Sequence, residues 1–205
     1  LPVAQPFWFA HAGCWSPMPE PTDTLSPQHV VERTRQWVLD VVLGLDLCPF
    51  ARPVFERGLI GYVVSEATTR GALLGDLERA LQTLVATDPA KLETTLLIHP
   101  HVLADFLDYN DFLDDADALL EALDLDEHVQ VASFHPRYQF ADTEPDQIDN
   151  YTNRSPFPML HLLRQASITR ARETYPDVEG VPARNIARMQ SLDQAAQQRL
   201  RDAIG

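Results

Sequence analysis

The sequence predicts an α/β fold: a small, largely parallel sheet of three or more strands, with helices packed on it and a helical C-terminal part. Three observations predict it. Short apolar runs alternate with amphipathic stretches in the order α-β-α-β-α-β, which right-handed crossovers assemble into a parallel sheet. Two of the three runs end in the same pair, His99-Pro100 and His135-Pro136. The chain has 205 residues, 45% of them hydrophobic, enough for one domain to bury a core without staples.

Taken in order, residues 1–17 lack the positive start and long apolar stretch of a secretory signal, and Cys14 has His11 where a lipoprotein signal wants an apolar residue. Met18 offers a start of its own. Residues 1–25 therefore read as an appended or disordered tail, and 26–205 as a single α/β domain. Ser26 offers an N-cap and Pro27 a first-turn residue. Val30, Thr34, Trp37, Val38, Val41 and Leu45 then recur at helical spacing to about Gly44. The segment Leu47–Pro53 breaks that helix, since each proline biases its predecessor away from the helical region.

Leu59–Ser65 is a β-branched and aromatic run and predicts a strand. Leu73, Leu77, Leu81 and Leu84 mark an amphipathic helix closing near Asp88-Pro89, and Thr94–His99 predicts a second strand. From His101 to Leu123 the pattern is helical again, with a break expected near Tyr109-Asn110 and a new cap at Asp111. Val129–Phe134 predicts the third strand. Arg137–Ser155 shows no periodicity, and a loop of that length inside a compact domain is usually functional or disordered. Ser155-Pro156 then reads as the start of a helix carrying Met159, Leu160, Leu163 and Ala166. Ser191 with Gln194 reads as a capping box for a last helix, Leu192–Ile204.

A net charge of −14 repels phosphodiester backbones and anionic bilayers, so neither nucleic acid nor membrane is the expected partner. No apolar run is long enough to span a bilayer, and two cysteines make no disulfide framework; a cytoplasmic location is the expectation. The chain contains no Walker A loop, G-x-G-x-x-G, G-x-S-x-G, H-E-x-x-H or C-x-x-C, so no nucleotide-cofactor motif is present.

Ligands of open α/β sheets bind outside the carboxyl ends of the strands, which is where the two His-Pro pairs fall. Imidazoles there suit proton transfer near neutral pH, so His99 and His135 are the candidate acid/base pair. Cys48, in a proline-punctuated turn beside Arg52, is the candidate nucleophile. A helix start at Asn153-Arg154-Ser155 would offer free N–H groups and a guanidinium to an anion. Arg52, His101, Arg137 and His161 complete the candidate substrate-binding set, and a small anionic metabolite is the expected partner. Two alternatives stand beside this enzyme. One is a divalent-metal site with His99, His101, His135 and Asp105 as ligands. The other is a non-catalytic binding or adaptor domain using the 137–155 loop.

The words LGLDLCPFARPV, LLIHPHVLADFLDYNDFLDDAD, QVASFHPRYQFADT and NYTNRSPFPMLHLLRQASI resemble a bacterial family of proteins known as domain of unknown function 1415, over about residues 28–190. The resemblance implies membership and carries no reaction. It places Cys48, Arg52, His99, His101, Asp105, Asn110, Asp111, His135, Gln139, Asn153, Arg154, Ser155 and His161 inside the family's recognisable words.

Overall fold

The structure is a computed structural model and describes residues 25–175 and 177–204; the expectations for residues 1–24 lie outside them. Helix α1 spans Pro27–Trp37, started by the fixed φ of Pro27, and buries Val30, Thr34 and Trp37 at successive turns of one face. It continues as a π-helix, Val38–Leu43. Gly44 ends that segment, where a Cβ would sit 2.1 Å from the Asp40 carbonyl oxygen. A short helix α2, Ala51–Glu56, follows the cysteine turn and leads into strand β1, Ile60–Val64.

Helix α3, Arg70–Ala86, is capped by Thr69, whose side chain accepts from the Ala72 N–H. Strand β2, Thr94–Ile98, is buried throughout. Helix α4, Phe106–Ala122, is capped by Asp105, which accepts from the Leu107 and Asp108 N–H groups. The break expected near Tyr109 is absent: Tyr109 is a buried core residue of an unbroken helix, and the helix begins at Asp105 rather than Asp111. Strand β3 is Val129–Phe134.

The segment expected to be a helix from Ser155-Pro156 is instead strand β4, Met159–Arg164. It enters the middle of the sheet, giving the order β1-β2-β4-β3. β1 and β2 pair in parallel, while β4 runs antiparallel to both β2 and β3. The sheet is therefore mixed rather than largely parallel. The β2–α4–β3 crossover still sets β2 and β3 in the same direction, but one strand apart, and the C-terminal half fills the gap.

The C-terminal part is helical, with α5 Gln165–Thr174, α6 Val181–Gln190 and α7 Gln194–Ile204. Asp193 rather than Ser191 caps the last helix, accepting from the Ala196 N–H at 2.7 Å; Ser191 Oγ donates back to the Arg188 carbonyl at the end of α6. Two apolar layers enclose the sheet. Leu73, Leu77, Leu81 and Leu84 of α3 and Tyr109, Phe112 and Ala116 of α4 meet Leu97, Leu160 and Leu162 on one face. Trp37, Val38 and Val41, with Met189, Leu200 and Ile204, meet Leu96, Ile98 and Met159 on the other. Arg164, at the end of β4, donates to the carbonyls of Leu84, Thr87 and Leu92 and so ties the end of α3 to the entry of β2. Among the described residues no helix is long and apolar enough to cross a membrane.

Candidate active site at the carboxyl edge of the sheet

The last paired row of the sheet is Val64, Ile98, Met159 and Phe134. One residue further along β1, β2 and β3 stand Ser65, His99 and His135, all buried. Because side chains alternate with period two, these three lie on the face of Leu97 and Leu160, under α3 and α4. The ladder continues to them: the Ser65 N–H donates to the Ile98 carbonyl, and the His99 N–H to the Pro158 carbonyl at 3.0 Å.

The turn after β2 holds both rings. Pro100 ends the strand, and Leu103 adopts a left-handed backbone with φ of 59°, which costs a branched side chain of order 1–2 kcal/mol. That curl directs two successive carbonyls at two histidines: His99 Nδ1 lies 3.1 Å from the Val102 oxygen and His135 Nε2 lies 3.1 Å from the Leu103 oxygen. Since a carbonyl only accepts, each of those nitrogens carries its hydrogen. His135 Nδ1 in turn accepts from the Arg137 N–H at 2.9 Å. Both nitrogens of His135 are thus committed. His99 Nε2 is buried with no partner and presents a bare lone pair. Burial pushes both imidazoles down to about 4, so both are neutral near pH 7.

Tyr109 of α4 packs against both rings, with centroids 5.8 Å from His99 and 5.1 Å from His135. Its hydroxyl donates to the Met159 carbonyl at 2.9 Å and accepts from the Phe134 N–H at 3.0 Å, fastening α4 across the ends of β4 and β3. Burial drives its pKa above the ordinary phenol value, so the hydroxyl keeps its proton. Replacing Tyr109 with Phe removes two hydrogen bonds that tie α4 to a pair of residues facing each other across β3 and β4, and is expected to cost about 1–3 kcal/mol in a urea melt. A loss below about 1 kcal/mol contradicts the bridge.

The other candidates are placed elsewhere or used up by the fold. Cys48 is half-buried, and its neighbour Leu47 belongs to the opposite layer, its carbonyl taking a hydrogen bond from Asn185 of α6. Burial pushes the Cys48 thiol up, outweighing the Phe50 and Ala51 N–H groups aimed at it, so nothing here generates a thiolate. Arg52 donates to the Leu43 carbonyl. His161 sits on β4 facing the layer opposite His99, with its Nε2 2.8 Å from the Thr94 hydroxyl, and burial holds it at about 4. His101 is 3.6 Å from a Glu66 carboxylate oxygen. Asp105 spends its carboxylate on the α4 cap and on Arg137, 3.6 Å away; Arg137 also donates to the Ala104 carbonyl.

The helix start expected at Ser155 is replaced by the approach to β4. Ser155 Oγ donates to the Phe157 carbonyl, and Asn153 flanks the end of β3, its side chain donating to the Ser133 carbonyl and its own carbonyl accepting the His135 N–H. Arg154 lies 4.4 Å over the Tyr151 ring and donates to the carbonyls of Tyr138 and Pro145. Its guanidinium closes the 137–155 loop from within. Asn150, fully buried, accepts from the Phe140 N–H and the Thr143 hydroxyl and donates to the Glu144 carbonyl, and Ile148–Thr152 forms a 3₁₀ turn. The loop is therefore packed around a polar core of its own.

Among the described residues no three His, Cys, Asp or Glu side chains converge to hold a metal ion, and His99, His101, His135 and Asp105 are not gathered as a ligand set. Sequence reasoning missed Tyr109, Ser65 and Arg164. Only Tyr109 carried a signal, as an aromatic at a helical core position.

The family described as Protein of unknown function (DUF1415) matches residues 29–199. The chain belongs to this family. The match runs from the first turn of α1 to the middle of α7, including the whole His99 turn. No curated protein and no solved structure matches the chain.

Proposed function

We propose that this protein is an enzyme acting on a small molecule at the carboxyl edge of its sheet, with His99 Nε2 as the proton acceptor. The observation that carries the reading is the lone pair of His99: buried, unpartnered, and fixed in direction by the bond from Nδ1 to the Val102 carbonyl. A buried polar atom left without a partner costs roughly 1–3 kcal/mol, and a strained Leu103 backbone holds the ring in place. Costs of that kind accumulate at sites where a ligand supplies the missing partner. His135 and Tyr109 act as positioning residues that set the ring's plane and keep it dry. The cations expected to hold an anionic group are bonded to backbone carbonyls, so anion recognition gains no support from the geometry.

His99→Asn separates function from packing, because the shorter amide keeps a donor for the Val102 carbonyl and deletes Nε2. Its unfolding free energy is expected within about 2 kcal/mol of wild type. Compounds from a metabolite panel that raise the melting temperature of the wild type, and move the ¹⁵N resonance of its His99 Nε2, are expected to leave the melting temperature of the variant unchanged. Equal stabilisation of both proteins by the same compounds overturns the assignment.

A further inference from the structure

A groove of about 790 Å³ runs along the edge of the sheet between β1 and α3, within the size range of small-ligand sites. One wall is α3, which presents Gly71, Ala72, Gly75, Asp76 and Arg79 to it; the other is Gly61, Val63 and Val64 of β1 with Ser65 and Glu66 just beyond the strand. Two observations mark it as more than a surface furrow.

The first is that two glycines stand one turn apart in a helix that gives no packing reason for them. A Cβ at Gly71 would meet nothing within 4 Å, and one at Gly75 only the flexible end of Arg79 at 3.6 Å. Glycine inside a helix weakens it relative to almost any other residue. Here it leaves space in front of the helix empty.

The second is Thr95 of β2, which lines the groove and is 2% exposed, with its hydroxyl oxygen unpartnered. Gly61 on the edge strand lies over it: a Cβ there would come 3.2 Å from that oxygen. Just beneath the floor of the groove, beside Leu92 and Val63, there is therefore an unpartnered hydroxyl able to give and take a hydrogen bond once a ligand parts the cover over it.

The charged lining sets the ligand's sign. Asp76 accepts from the Ser65 hydroxyl and pairs with Arg79, and Glu66 adds a second carboxylate at the mouth, with 66% of its side chain exposed. Two carboxylates against one guanidinium leave the groove net negative, on a chain of charge −14. We infer that this groove binds a small organic cation with an apolar body, its body against Val63, Leu92 and the α3 glycines, a polar atom on Thr95, and its charge towards Glu66 and Asp76. The groove adjoins the candidate active site at Ser65, the neighbour of His99, but His99 is not among its lining residues, and the inference does not use the His99 lone pair.

Calorimetric titration with tryptamine and with indole-3-acetate, which carry the same ring with opposite charge, tests the inference. Tryptamine is expected to bind with a Kd below about 1 mM, and indole-3-acetate at least about tenfold more weakly. Gly75→Leu fills the groove and is expected to abolish tryptamine binding while melting no lower than wild type; Gly71→Leu, which meets no neighbour, repeats the test. His99→Asn is expected to bind tryptamine as the wild type does. The inference is overturned by absent tryptamine binding, by equal binding of the two probes, by binding that survives both glycine substitutions, or by a dimer that those substitutions convert to monomer.

Discussion

Between pH 6.5 and about 4 the protein is expected to lose stability steeply, and to be largely unfolded at the acid end of that window. The cause is the burial of His99, His135 and His161 as neutral rings, with pKa pushed from 6.5 to about 4. Above 6.5 both folded and unfolded chains carry these imidazoles neutral, so they contribute no pH dependence. As the pH falls below 6.5 the unfolded chain takes up protons that the folded one refuses, so stability drops until the folded rings titrate as well. Each group accounts for roughly 3 kcal/mol by pH 4, and three such contributions rival the 5–15 kcal/mol of a typical domain. Around His135, Arg137 and Arg154 oppose protonation and Asp105 favours it, all weaker than burial. Urea melts at pH 7.5, 5.5 and 4.5 measure the slope, and native-state NMR of His99 Cε1–H supplies the second check. A resonance titrating near pH 6.5 in the folded protein would falsify the account.

Arg164→Ala is expected to destabilise the fold by about 2–4 kcal/mol, because the charged Nη2 of one guanidinium is shared among three carbonyls, of which that of Leu84 also accepts from the Thr87 N–H. Leu84 lies in the last turn of α3 and Thr87 is its C-cap residue, where a cation also meets the negative end of the helix dipole. Leu92 precedes β2. Arg164→Lys retains the charge on a shorter side chain and is expected to recover only part of the loss. Hydrogen exchange of the last turn of α3 should accelerate in both variants. A loss under about 1 kcal/mol for the alanine variant contradicts the role assigned to this side chain.

The elements legible in the sequence are those whose burial is one-sided or whose residues are β-branched. Leu73, Leu77, Leu81 and Leu84 repeat at helical spacing because α3 has one wet face. β1 is rich in valine. β4 was not legible: Met-Leu-His-Leu-Leu-Arg is buried on both faces, carries no β-branched residue, and follows a Ser-Pro pair that mimics a helix start. Nothing local distinguishes it from a helix; what decides its state is the gap between β2 and β3. The same error removed the supposed anion site at Arg154, since that site existed only as a helix terminus. The two His-Pro ends, by contrast, do lie at strand ends on one edge of the sheet, with β4 between them, because a proline stops a strand whatever surrounds it. What the sequence hid was their inequality, which depends on two carbonyls delivered by the left-handed Leu103.

The insertion of β4 between β2 and β3 also dictates an order of assembly. Thr94 and Leu162, bonded across the β2–β4 boundary, are 68 residues apart in the chain. During synthesis β1, α3, β2, α4 and β3 all emerge before the strand that joins them, so β2 and β3 wait with unsatisfied inner edges. Long-range closure of this kind slows folding, and open edges invite pairing with other chains. The growing polypeptide is thus most vulnerable to aggregation in the interval before residue 164 leaves the ribosome, and a chaperone that covers sheet edges would act on it there.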